Sequence, residues 1–308
     1  MALQTTKKSY ANFKGTISGL HNRKKGSSKM DYDWGSKLLL FINTSEHNSV
    51  GVGITSWNNR IGEDVYIATT DRETARETKT IEWERRNEEF EGWQLIGLQL
   101  RGKKQSKVST LVEHDSIEYI LNNFEDGDNV FVQCEVERSK SGDKVYTNYN
   151  IKRIYSSDDE FDYNSEGFKE VSDIKDTFAF KEMAVNQEKA TVRGAVVQYG
   201  GKLVDVEYVI DTKEEIDHAI INYIKENCKF GDVLTIEGIV HNRVIGDWVE
   251  TEGSKSLVGR SSTSFGGGGK RFVVKSERKE VQIIGVADLQ RQVYTESDLT
   301  VKEFDWLS

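Results

Sequence analysis

Two stretches of this chain interleave cations, aromatic rings and flexible backbone. In the first, His21-Asn-Arg-Lys-Lys-Gly26 supplies Arg23, Lys24 and Lys25, with Tyr32 and Trp34 just beyond. The second sets Trp248, Lys255, Arg260, Phe265, Lys270 and Arg271 around a Gly/Ser-rich segment, residues 253–269. Aromatic faces stack on any base and cations follow phosphates, so this mixture is the chemistry of sequence-independent single-strand binding. Each part also has a plainer use, since basic turns solvate, Gly/Ser segments link and rings fill cores. Further candidates lie on presumed strands: Lys14 and Arg193 beside Gly15 and Gly194, Phe41 on a second strand, and Trp57 with Arg60 ending a third. Tyr146 and Tyr149 occupy opposite faces of the strand at 145–154, and alternation leaves open which one meets solvent. Residues 101–107 form another basic turn, read as a hairpin tip.

Catalytic patterns are poor. Residues 266–270 approach a phosphate-binding loop, but Ser264 stands where the first Gly belongs and Arg271 replaces the Ser/Thr. Gly51 and Gly53 lack the third Gly of a dinucleotide fingerprint. His21, His47, His114, His218 and His241 are scattered, and no Cys or His pair has metal-ligand spacing. The expectation is a protein that is not an enzyme and takes neither cofactor nor metal.

The formal charge of −9 resides in two segments. Residues 156–190 carry a net −6 and residues 288–308 a net −3, so the remainder is balanced and compatible with a polyanion. Cys134 and Cys228 read as reduced core thiols, no apolar run spans a membrane, and the first residues lack a signal peptide's apolar core. These features predict an intracellular protein, in a host cytoplasm if the system is viral, that is not secreted. No proline occurs, so Gly, Asn and Asp must shape the loops.

Positioning falls to a repeat. A helix signal at 115–124 runs into a strand opened by Gly127-Asp128, and a second at 212–224 into one opened by Gly231-Asp232. Asp115 with Glu118, and Thr212 with Glu215, have capping-box spacing. Val130, Val132, Cys134 and Val136 alternate as Leu234, Ile236, Gly238 and Val240 do. Ahead of each helix come a bent first strand, at 12–20 or 191–199, and a second at 37–42 or 202–206. The second half is expected to compress its second and third strands into 202–211. Within 50–110, strands are expected at 50–57, 64–68 and 93–100, and the charged stretch 72–90 reads as an exposed helix or mobile loop. The reading is mainly β: two tandem five-stranded barrels, each with one helix before the fourth strand. The division is a first domain at 1–155 with an insertion at 50–110, an acidic connector at 156–190, a second domain at 191–287 with its long loop at 253–269, and an acidic tail at 288–308.

A small barrel with its helix before the fourth strand is the OB-fold plan. With Lys14-Gly15, Arg193-Gly194, Gly127-Asp128 and Gly231-Asp232, the chain resembles tandem OB-fold single-stranded DNA-binding proteins, such as those of bacteriophages and the replication protein A group. The resemblance implies coating and protection of single-stranded DNA in replication or recombination, RNA being the alternative polyanion. It also implies that the tail, 296–308, contacts replication proteins or competes with DNA. The alternative for the tail is that Phe304 and Trp306 pack onto the body. Two other functions remain open: a protein-interaction or virion-structural β protein, and a strand-annealing or nuclease accessory factor.

Overall fold

In a computed structural model the described residues are 5–21, 29–70, 76–142, 144–198, 201–250 and 270–300; the side chains of 244–250 and 270–275 lie outside that description. The first half contains β1 (Ser9–Ser18), β2 (Lys29–Tyr32), β3 (Gly35–Asn43), β4 (Ser49–Trp57), β5 (Val65–Thr69), β6 (Thr78–Ile81), β7 (Trp93–Leu95), β8 (Leu98–Arg101), β9 (Ser109–Leu111), α1 (Glu113–Asn123), β10 (Asn129–Ser141) and β11 (Lys144–Ser156). The second contains β12 (Val171–Val185), β13 (Lys189–Val197), β14 (Leu203–Asp211), α2 (Glu215–Asn227), β15 (Val233–Glu250), β16 (Lys270–Gln290) and a short α3 (Glu296–Leu299).

Strand pairing closes two circuits of the same order. In the first, β1 pairs β3, β3 pairs β4, β4 runs parallel to β11, β11 pairs β10, and β10 returns to β1. In the second, β12, β13, β14, β16 and β15 close in the same sequence, with β14 parallel to β16. A helix precedes the fourth strand of each. Inward side chains alternate as the sequence requires: Ala11, Phe13 and Ile17 from β1 meet Val130, Val132 and Cys134 from β10 in one core. Phe178, Val192, Tyr208, Leu234 and Ile236 form the other. Each such ring or branched chain removed from water contributes about 1.5–3 kcal/mol.

The Gly-Asp turns are equivalent atom for atom. Gly127 and Gly231 adopt φ of 94° and 86°, a conformation that favours glycine. Gly127 N–H donates to Ile17 O (2.8 Å), and Ile17 N–H to Asp128 O (2.9 Å). Gly231 and Phe180 repeat the first bond at 2.9 Å, Phe180 and Asp232 the second at 2.7 Å. Asp128 and Asp232 each accept from the backbone N–H three residues earlier, closing the turn.

That equivalence corrects the expected second half. Its first strand is β12, which runs through the segment read as an acidic connector. The strand expected first, at 191–199, is the second, and 203–211 is one full third strand rather than two compressed ones. Gly194 is therefore not the counterpart of Gly15. Gly15 sits where β1 exchanges one edge partner for another, β12 through Lys14 and β3 from Thr16. The helix caps also differ: α1 starts at Val112 without a side-chain cap, and Asp115 instead takes two hydrogen bonds from Arg86. Helix α2 does have a capping box, made by Glu214 and Asp217.

Between β4 and α1, strands β5, β6 and β7 form a small separate sheet over Val65, Ile67, Ile81 and Val112. Residues 78–85, expected as helix or mobile loop, form β6 and a single 3-10 turn, while the strand expected at 93–100 is broken into β7 and β8.

The two circuits are joined along β1 and β12, antiparallel from Tyr10↔Lys175 to Lys14↔Val171. At this seam Arg138 and Asp176 form a buried ion pair. Asp176 also accepts from Ser9 Oγ, from Tyr208 Oη at 2.6 Å and from Thr177 N at 2.9 Å. These partners offset its desolvation, which an unpaired buried carboxylate could not survive. Farther along the seam, Asn48 ties the β3–β4 turn to the middle of β15, donating to Val240 O (3.0 Å) and accepting from Asn242 N (2.7 Å).

Candidate nucleic-acid interface

On the first circuit, alternation turns Leu38, Leu40 and Ile42 of β3 inward and leaves Lys37, Leu39 and Phe41 on the outer face. Opposite them in β4 stand Thr55, Gly53 and Gly51. The two glycines present no side chain, so Leu39 and Phe41 lie close on the strand: Gly53 is buried, and a Cβ on Gly51 would lie 3.4 Å from the Phe41 ring. Lys37 has no carboxylate partner among the described residues.

At the end of this strip of the outer face the β2–β3 hairpin and the end of β4 assemble a ladder of rings. Tyr32 and Trp34 stack at 4.7 Å and 8°, and Trp57 follows Trp34 at 4.7 Å and 41°. The register Gly35↔Trp57 and the bond from Asn58 N–H to Trp34 O (2.9 Å) hold the two indoles together. All three rings are exposed, by 44%, 41% and 47% respectively, although burial would repay rings of this size. Trp83 and Trp93 differ, since Arg86 covers the one at 4.2 Å and Lys79 the other at 4.0 Å. Arg60 is exposed and closes the 3-10 turn Asn58–Arg60 that leaves Trp57.

Trp34 and Trp57 thus come together, with Arg60 at the turn that leaves Trp57, and Phe41 lies on the same face about 20 Å along β3. Tyr146 is 50% exposed near the start of β11, whereas Tyr149 turns inward, edge-on to Phe13 at 5.2 Å, with burial pushing its hydroxyl pKa up. Tyr149 is therefore a core residue. Lys14 lies on the outer face of β1 but is engaged by Asp159 at 2.6 Å and lies over Phe161. Beside it Tyr163 Oη donates to Asn43 O at 2.8 Å, so residues 159–163 cross this end of the face. Arg193 is not a free cation: it lies between Glu207 and Glu182, each at 3.0 Å. Arg23, Lys24, Lys25, Arg260 and Phe265 lie outside the described residues. Trp248, Lys270 and Arg271 are in the paired ends of β15 and β16, and their side chains are not described. Sequence reasoning missed Lys37 and Leu39, although alternation from Phe41 assigns them to its face. It met Gly51 and Gly53 only as a failed fingerprint.

Cys134 is buried and Cys228 half-buried, and burial raises both thiol pKa values, that of Cys228 to about 11. Among the described residues no cluster of three His, Cys, Asp or Glu side chains is placed to hold a metal, and no helix is long and apolar enough to cross a membrane. Of the tail, Tyr294 and Leu299 are buried against Ala195, Val197 and Val233. Residues 301–308, with Phe304 and Trp306, lie outside the described residues.

No curated protein matches the chain. Among solved structures, the wild-type single-stranded DNA-binding protein of Thermus aquaticus is 13% identical, with 79% of this chain and 87% of that one covered and a TM-score of 0.35. A deletion mutant of the same protein gives 13% identity, coverage of 79% and 88%, and a TM-score of 0.37. The YorF family matches residues 99–304, from β8 through the whole second circuit to the tail, and the chain belongs to that family.

Proposed function

We propose that this protein binds single-stranded DNA without base specificity, through the outer face of its first circuit. The two circuits are read as OB-fold barrels, and the protein acts by binding rather than catalysis. The observation that carries the proposal is the exposed ladder Tyr32–Trp34–Trp57, continuous with Lys37, Leu39 and Phe41 over a glycine floor. Rings supply sequence-tolerant stacking of about 1–3 kcal/mol per base, and Lys37 and Arg60 supply charge for the phosphates. The role this chemistry serves is coating and protecting strands during replication or recombination, in a bacteriophage-like system, with the tail contacting replication proteins.

Titration with oligo-dT tests the reading. Stacking on Trp34 and Trp57 quenches their fluorescence, and affinity falls with salt by about 0.7 logarithmic units per phosphate neutralised. Unchanged fluorescence together with no mobility shift at low salt would sink it.

A further inference from the structure

Along β11, beyond its pairing with β4, lies a groove of about 690 Å³, walled by the insertion on one side and by β10 and β11 on the other. Its walls carry Arg76, Lys152 and Arg153 together with Gln94, Gln99 and Gln133. Amides offer both a donor and an acceptor, and guanidinium groups grip phosphate through paired N–H bonds. Arg76 and Arg153 are both exposed, and neither has a carboxylate partner among the described residues. The groove's carboxylate, Glu135, is shared by two cations, Lys8 at 2.6 Å and Lys152 at 3.5 Å. The balance of charge is positive.

Register joins this groove to the ladder face. In β11, Asn150 is level with Gly53, the floor of the aromatic strip. Arg153, three residues on, is level with Gln99 of β8, where β11 has exchanged β4 for β8 as its neighbour. Three residues of strand cover about 10 Å. Arg153 therefore lies about 10 Å along β11 from the level of Gly53, within reach of a flexible polyanion leaving the strip.

We propose that the groove is a second track for the same single strand, holding its phosphates with Arg76 and Arg153 after the bases leave the aromatic strip. This rests on the binding reading above and extends it to a site formed by the insertion. The occupant is a nucleic-acid strand longer than the strip can hold.

Length-dependent binding tests it. Single OB folds occupy roughly 4–16 nucleotides, so labelled dT oligomers of about 6 and about 20 nucleotides separate the strip from the strip plus groove. The double variant Arg76→Gln/Arg153→Gln removes two exposed charges, and matched thermal unfolding checks its fold. The expected result is affinity lowered roughly tenfold or more for the long oligomer, its salt slope reduced by about 1.4, and the short oligomer bound as by wild type. Equal affinity of variant and wild type for the long oligomer would overturn the second track, as would an equal loss for both lengths. If wild type binds neither oligomer, the binding reading itself fails and the track with it.

Discussion

The two circuits share strand order, helix placement and Gly-Asp turns, yet matching positions on their outer faces have opposite chemistry. Phe41, level with Ser18 and Gly51, corresponds to Arg193, level with Glu182 and Glu207. Leu39 over Gly53 corresponds to Thr191 over Val209, and Lys37 beside Thr55 to Lys189 beside Asp211. The first face therefore has rings, glycines in place of side chains and a lysine with no carboxylate partner among the described residues. The second is a lattice of ion pairs: Arg193 with Glu182 and Glu207, Lys181 with Asp205, Lys189 with Glu280, Arg278 with Asp211. Its far end is covered by Tyr294 and Leu299. Exposed ion pairs contribute little stability, with a median of about 0–1 kcal/mol, but they leave no cation free for phosphate. A shared scaffold can thus hold one face open to a polyanion while the other neutralises itself.

The comparison breaks most sharply at the ladder. Trp34→Ala/Trp57→Ala removes two stacking faces worth roughly 1–3 kcal/mol each, so affinity for oligo-dT should fall by about 2–6 kcal/mol. A double lesion on the other face, Arg193→Ala/Glu207→Ala, should leave affinity within about 0.5 kcal/mol of wild type, as surface changes away from a site usually do. Equal losses in the two variants, measured by anisotropy titration, would end the distinction between the faces.

A graft asks whether Phe41 belongs to the track or only the ladder does. Phe41→Arg/Gly51→Glu writes the second circuit's pair into the first. Replacing Phe41 also makes room for the new Cβ at position 51, which would otherwise press on its ring. Loss of one stack and introduction of a carboxylate should weaken oligo-dT binding by about 1–3 kcal/mol, at unchanged thermal stability. Undiminished affinity would confine the strand to Tyr32, Trp34 and Trp57.

How much of this was legible in the sequence follows from where contacts are local. Helices α1 and α2 lie within three residues of their expected spans, and the Gly-Asp turns were readable because both their glycine φ and their capping carboxylate act within four residues. Strand β12 was missed because its inward row reads Ser172, Ile174, Asp176 and Phe178. A carboxylate on that row breaks the apolar alternation and only makes sense once Arg138, Ser9 and Tyr208 surround it. Missing β12 displaced only the first strands of the second half, leaving its helix and last two strands in place, and made Arg193 look like Lys14. At the interface, Trp34 and Trp57 were readable as candidates but not as neighbours. Their contact depends on the β3–β4 register and on a bond from Asn58 N–H to Trp34 O. The ion pairing of Arg193 was not readable because its two carboxylate partners, on β12 and β14, are invisible to local composition.

The smallest effect concerns Lys14, a cation on the outer face of the first circuit that is also paired. Lys14 meets Asp159 at 2.6 Å, but that carboxylate comes from a segment crossing the face, whereas both partners of Arg193 belong to the strands beside it. The Lys14 ammonium, by hydrogen bond and then by charge, together with the Ser157 hydroxyl, holds the Asp159 carboxyl below its ordinary pKa. A carboxylate with a lowered pKa keeps its pair at every pH above the usual carboxylate range and loses it only as pH falls through the lowered value. Between pH 5 and 8, then, the pair is a constant, and binding changes over that window do not come from it. Asp159→Asn releases Lys14 at neutral pH without displacing the strand that carries it. If DNA follows the face as far as β1, affinity should rise by roughly threefold or less and the salt slope steepen by up to about 0.7, one more phosphate neutralised. The same titration on Glu182→Gln should show neither change, because Glu207 still holds Arg193. A gain from Glu182→Gln that matched Asp159→Asn would mean that the ion-paired face of the second circuit also opens to DNA.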